Sequence, residues 1–190
     1  MAMYELLEDR DEVKEPVVID WDRGRKSSVP TTIDNRNCTF TADDVTAVVS
    51  HCWHDADGRL FNSMIRRHQS AQGNPDWPGN FAPGEAILWT DNQDPHDGPL
   101  RVKVQEPVSA IGAQVQILAE GPFTAVLTVY DSAGQLVAEL TRKGQSTSAG
   151  DDSAIFLGVQ GPDISCIEYS IADPCPRGFA INRLSVTTTA

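Results

Sequence analysis

Apolar and polar residues alternate along most of the second half of this chain. Leu100, Val102 and Val104 are apolar, with Arg101, Lys103 and Gln105 between them. That period of two predicts a strand with one face on a core and the other in water. Ile111, Ala113, Val115 and Ile117 repeat it, with Gln114 and Gln116 on the opposite side. Phe123, Ala125, Leu127 and Val129 continue it, and their aromatic and β-branched neighbours suit a pleated surface. Asp131-Ser132-Ala133-Gly134 is a turn that returns the chain through Leu136, Ala138 and Leu140. Ile155 to Val159 is apolar on both faces and predicts a central strand. Ile167, Tyr169 and Ile171 follow, and Phe179 to Val186 closes the run. No stretch here has helical period, which argues against a βαβ sheet.

The first half is less regular. Met3, Leu6, Leu7 and Val13 have rough helical spacing, so residues 1–16 read as an acidic arm or short helix that Pro16 ends. Val17 to Trp21 and Val45 to Ser50 read as strands. Leu60, Phe61, Met64, Ile65 and His68 predict one face of a short helix. Gln69 to Gly84 reads as a long loop, and Ala86 to Trp89 as a strand. The expected fold is all-β: an antiparallel jelly-roll β-sandwich over residues 17–190, with a loop and short-helix insertion at about 51–98.

Several segments resemble one family. They are Val108 to Gln116, Phe123-Thr124-Ala125, Val129 to Gly134, Ser153 to Val159 and Phe179 to Leu184. Together they resemble the jelly-roll domain of bacterial exported proteins, many of which carry a PEP-CTERM sorting signal. The resemblance covers about half the chain. It implies a galactose-binding-like sandwich that binds carbohydrate or builds extracellular matrix, and it brings no catalytic residues. Where such proteins often have Asp-Asn or Asp-Asp near the last strand, this chain has Asn182-Arg183. The expected place of work is the extracellular space or cell surface, although Met1 to Lys14 has no signal-peptide pattern.

The chain has 190 residues, enough for one such domain with its own core. Its net charge is -12, which argues against a nucleic-acid partner, since phosphates select a basic face. No apolar run approaches the ~20 residues that membrane insertion needs. The four cysteines are Cys38, Cys52, Cys166 and Cys175, none spaced for a zinc ribbon. An even count fits an oxidising compartment, with Cys166–Cys175 and Cys38–Cys52 as the expected disulfides and four free thiols as the alternative.

Candidate chemistry gathers in 51–98. Asp55 and Asp57, and above all Asp91, Asp94 and Asp97, lie in oxygen-rich loops of the kind that bind calcium. The same residues are ordinary turn formers, so both readings stand. His51, Cys52 and His54 are zinc-ligand types, but their strand spacing puts the two histidines on opposite faces. Trp77, Trp53 and Trp89 are candidates to stack on sugar rings, with Trp77 held on a Pro-rich turn; packing of the loop is the alternative. No nucleophile or metalloprotease motif is present.

Three functions follow in order. The first is a non-catalytic recognition module for carbohydrate or matrix components. The second is a structural subunit of a surface, fibre or phage-type assembly, whose acidic arm and Thr187-Thr188-Thr189-Ala190 tail dock on neighbouring subunits, including copies of itself as a homo-oligomer. The third is a hydrolase using the 51–98 loops.

Overall fold

Two strands of unusual length organise the molecule. The computed structural model describes residues 3–21, 31–33, 38–54, 60–62, 65–69, 79–90, 99–172 and 178–189, with backbone alone at 31–33, 51–54, 60–62 and 65–69. In chain order the strands are β1 (Glu5–Leu7), β2 (Val17–Ile19), β3 (Thr31–Ile33), β4 (Cys38–Ala42), β5 (Val45–His54), β6 (Leu60–Asn62) and β7 (Ile65–Gln69). There follow β8 (Ala86–Thr90), β9 (Leu100–Ile117), β10 (Gly121–Tyr130), β11 (Leu136–Ser146), β12 (Ile155–Ile171), β13 (Phe179–Ile181) and β14 (Leu184–Thr188). All pairings are antiparallel, and the fold is the expected all-β sandwich. Among the described residues the only helical element is a 3-10 turn, Arg10–Glu12. Among the described residues no helix is long and apolar enough to cross a membrane.

β9 and β12 pair with each other and run through both halves of the sheet system. The first part of β9 pairs with β5 on one side and with Cys166–Tyr169 of β12 on the other. The second part pairs with β13 and β14 and with Ile155–Gln160 of β12. Between the two parts the register slips, from Gln160↔Ala110 to Ile164↔Val108 to Cys166↔Lys103. Asp163 sits there with φ 55°. Such bulges bend a strand and change which positions face inward. Leu100, Val102 and Val104 are buried before the slip, and Ile111, Ala113 and Val115 after it, all in one core. Alternation reads each long strand as two short ones, Leu100–Val104 with Ile111–Ile117 and Ile155–Val159 with Ile167–Ile171. The structure joins each pair into one continuous strand through bulges near Pro107 and Gly161-Pro162.

The β10–β11 hairpin forms as the alternation predicts. Gly134 takes φ 76°, its N–H donates to the Asp131 carbonyl, and Asp131 Oδ1 accepts from Gln135 N at 2.8 Å. Burying Phe123, Leu127 and Val129 in the core contributes roughly 2 kcal/mol each. Trp21 is wholly buried, edge-on to Phe40, and its indole N–H donates to the Asn182 carbonyl at 2.6 Å.

One helical expectation is corrected. Residues 60–62 and 65–69 are strands: β6 pairs with β5, and β7 pairs with β8 and β3. Ladder bonds to distant strands override a local helical period there. Of the two readings of the N-terminal segment, arm or short helix, the described residues form an arm. Its β1 joins the edge of β12, with Leu6↔Val159, and only the 3-10 turn follows, closed by a capping box between Asp9 and Glu12.

Candidate polar cleft

The outer face of β9, away from the main core, carries Gly112, Gln114 and Gln116. Alternation assigns these positions to water. The structure instead covers them from two directions. The arm residues Leu7 and Val13 pack with Ala110 and Phe156 in a small apolar cluster of their own. Phe81 packs with Ile87, Trp89, Leu118, Ala154 and Ala180 in another. Between these two lids lies a band of buried polar side chains.

Gln116 is 1% exposed. Its Oε1 accepts from Asn80 N at 2.6 Å, and its amide donates to Ser146 Oγ at 2.9 Å and to Asn80 Oδ1. The Asn80 amide donates in turn to Thr147 Oγ1 at 2.8 Å and Ser153 Oγ at 2.6 Å. Every polar atom of this pair is therefore satisfied in a place closed to water, which such groups require.

Gln114 and Asn182 form the neighbouring unit. Asn182 is wholly buried. Its Oδ1 accepts from Arg10 Nη2 at 2.9 Å and Gln114 N at 2.9 Å. Its amide donates to Glu85 Oε2 at 2.8 Å and to Gln114 Oε1. Gln114 Oε1 also accepts from Arg10 Nη2 at 3.2 Å, and its amide donates to Asp152 Oδ1 at 3.1 Å. Glu85 Oε1 lies 3.2 Å from Arg183 Nε and 3.9 Å from Arg10 Nη1, so one carboxylate sits between two guanidiniums. Burial, and then the Arg183 charge, lower the Arg10 pKa from its ordinary value; Glu85 and Asp152 oppose that.

Gln114 and Arg10 of this unit line an open cleft of about 430 Å³. The arm supplies Glu8, Asp9, Arg10 and Asp11 to one side; Asp152, Arg183 and Arg142 stand on the others. Arg142 bridges the gap between β11 and β12, donating from Nη1 to the Glu8 and Phe156 carbonyls. The walls therefore offer carboxylate acceptors and guanidinium and amide donors within one concavity. A hydroxyl both donates and accepts, so such a mixture can satisfy several of them at once.

The predicted site residues whose side chains the structure describes do not line this cleft. Trp89 is 3% exposed inside the Phe81 cluster, so its ring is packed rather than free to stack on a ligand. Trp53 lies on β5, where only backbone is described. Trp77, Asp55, Asp57, Asp91, Asp94, Asp97 and Cys175 lie outside the described residues. Among the described residues, no group of three or more His, Cys, Asp or Glu is arranged to hold a metal ion. Cys38 on β4 sits opposite Val49 and Cys52 on β5 opposite Asn62, so the two are not ladder partners. Cys166 carries a free thiol, to which Arg101 Nε donates at 3.1 Å; burial raises its pKa. Arg101 also lies over the Tyr130 ring at 5.4 Å, beside a second cavity of about 390 Å³.

The sequence did not single out Arg10, Asn80, Glu85, Arg142 or Asp152. The one available signal was two glutamines alternating on the back of a strand whose other face is wholly apolar, together with Asn182 at the last turn.

No family model and no curated protein matches this sequence. Among solved structures, the chain is similar to a DUF4465 family protein from Bacteroides caccae, with a TM-score of 0.52 and 10% identity over 93% of this chain and 100% of that one. That likeness shows the fold. An isomalto-dextranase from Arthrobacter globiformis T6, complexed with panose, aligns with a TM-score of 0.33 and 11% identity over 98% of this chain and 32% of that one. At that score the likeness carries no argument.

Proposed function

We propose that this protein is a non-catalytic recognition module that binds a neutral, hydroxyl-rich ligand, a carbohydrate or matrix glycan, outside the cell. The observation that carries this reading is the cleft lined by Gln114, Arg142, Asp152 and Arg183. Gln114, Asp152 and Arg183 are tied to partners on the sandwich, so that side of the cleft is held in place before any ligand arrives. Preorganisation of this kind lowers the entropy cost of binding. Carboxylates and guanidiniums are interleaved at the rim, which suits alternating donors and acceptors on a sugar better than a single charge. The resemblance of the strand segments to exported jelly-roll domains supports the same class of ligand.

Glycan-array screening of the purified chain, with calcium and with EDTA, tests the reading. Hits then go to calorimetry with Arg183→Ala and Asp152→Asn. Arg183 is exposed enough to change without opening the core, and Asn tolerates the left-handed φ of 59° at position 152. The expected result is binding in the wild type and at least a tenfold loss in each variant, about the worth of one charge-assisted hydrogen bond. An array with no binder in either buffer overturns the reading. Binding unaffected by both variants moves the ligand away from this cleft.

A further inference from the structure

We infer that residues 3–14 are a strap, hinged at Glu15, that undocks from the sandwich as a unit and takes one wall of the cleft with it. The strand pairing that attaches it is short. β1 contributes three residues to the ladder, Glu5↔Gln160, Leu6↔Val159 and Leu7↔Gly158. Leu7 and Val13 belong to a small cluster separate from the main core, while Tyr4 and Leu6 pack on that core only as partly buried residues. Tyr4 lies flat over Gly161, in the space a side chain there would fill.

The polar tie is incomplete. Arg10 donates from Nη2 to Asn182 and Gln114, yet its Nε is buried with no partner. Burying a cation without meeting all its donors costs free energy that water would return on undocking. The hinge is strained as well. Glu15 has φ 45° directly before Pro16, whereas a residue before proline prefers extended backbone. Short pairing, a satellite cluster, an unmet donor and a strained pivot all place this segment at the low end of local stability. Because Glu8, Asp9, Arg10 and Asp11 line the cleft, the strap's docking sets how much of the cleft exists. That consequence rests on the cleft being the binding site; the opening itself does not.

Hydrogen exchange of the full chain, read by mass spectrometry without ligand, decides the matter. It compares the wild type with Arg10→Met, which removes the tie at similar volume, and with Gly161→Val, which displaces Tyr4. Amides of residues 5–13 are expected to exchange with little denaturant dependence, ahead of those at 111–115. Each substitution is expected to speed 5–13 by about tenfold, the worth of a lost charge-assisted bond or contact, while 111–115 and 167–169 keep their wild-type rates. If residues 5–13 exchange only together with 111–115, or both variants deprotect the whole sheet equally, the strap is part of the cooperative core and the inference fails. A negative glycan array leaves this result standing, so the two failures are separable.

Discussion

Asn182 and Gln114 are joined by a backbone bond and its side-chain imitation: Asn182 N donates to the Gln114 carbonyl at 3.1 Å, and Gln114 N donates to Asn182 Oδ1 at 2.9 Å. β13 pairs with β9 up to Ile181↔Val115, and β14 resumes at Ser185↔Gly112, one residue out of step. The asparagine side chain fills the rung that this slip removes. It also needs its two amide protons, which go to Glu85 and Gln114.

Asn182→Asp is therefore expected to destabilise the fold, although it is nearly isosteric. It deletes both donors and turns a carboxylate toward Glu85. Loss of about 2–3 kcal/mol is expected, the cost of leaving buried acceptors unmet. Chemical denaturation checks this, and an unchanged midpoint would refute the role given to the amide.

Trp89→Ala separates packing from ligand stacking. The ring is 3% exposed among Phe81, Ile87 and Leu118, so its removal leaves a cavity worth about 3–5 kcal/mol. A thermal melt should fall steeply. A variant with wild-type stability would mean that the indole is not core.

Gly112 faces Phe156 and the backbone of Gly158. A Cβ there would lie 2.5 Å from Phe156 Cζ and 2.7 Å from Gly158 Cα. The second contact is backbone and cannot rotate away. Gly112→Ala is expected to cost about 1–3 kcal/mol, as overpacking does. Equal stability in urea melts would show that β9 and β12 can separate there without penalty.

Asp151 gives a pH signature. The Ser153 hydroxyl first, then the Ser153 backbone N–H and the Asn80 amide, hold its carboxyl below the ordinary value of 3.8. A depressed carboxyl contributes stability that is present above the ordinary value and lost as pH falls through the folded one. The melting-temperature gap between wild type and Asp151→Asn should be open at neutral pH and narrow on acidification below about pH 4. A gap that stays constant across that range would remove Asp151 from the acid response.

Cys166 should resist alkylation in the folded protein. Burial raises the thiol's pKa, and the Arg101 guanidinium offsets this only in part. Peptide mapping after brief iodoacetamide treatment at neutral pH should find Cys166 unmodified when native and modified in denaturant. Finding it bridged to Cys175 instead would contradict the free thiol.

The sequence by itself determined the sheet and its inward face. Alternation at Leu100–Val104, Ile111–Ile117 and Phe123–Val129 follows from the period of the strand, which is local and needs no partner to be read. The turn at Asp131–Gly134 is local too. What lies over the other face is not local. Gln114 and Gln116 look solvent-facing until Arg10 arrives from 104 residues away and Asn80 from 36. Leu60, Phe61, Ile65 and His68 carry a helical period that long-range ladders at 60–62 and 65–69 overrule. Each long strand reads as two because nothing near Pro107 and Gly161 says that β9 and β12 continue across them as bulges. Tertiary structure alone decided the cleft, since every contact that builds it joins segments whose local patterns carry no record of each other.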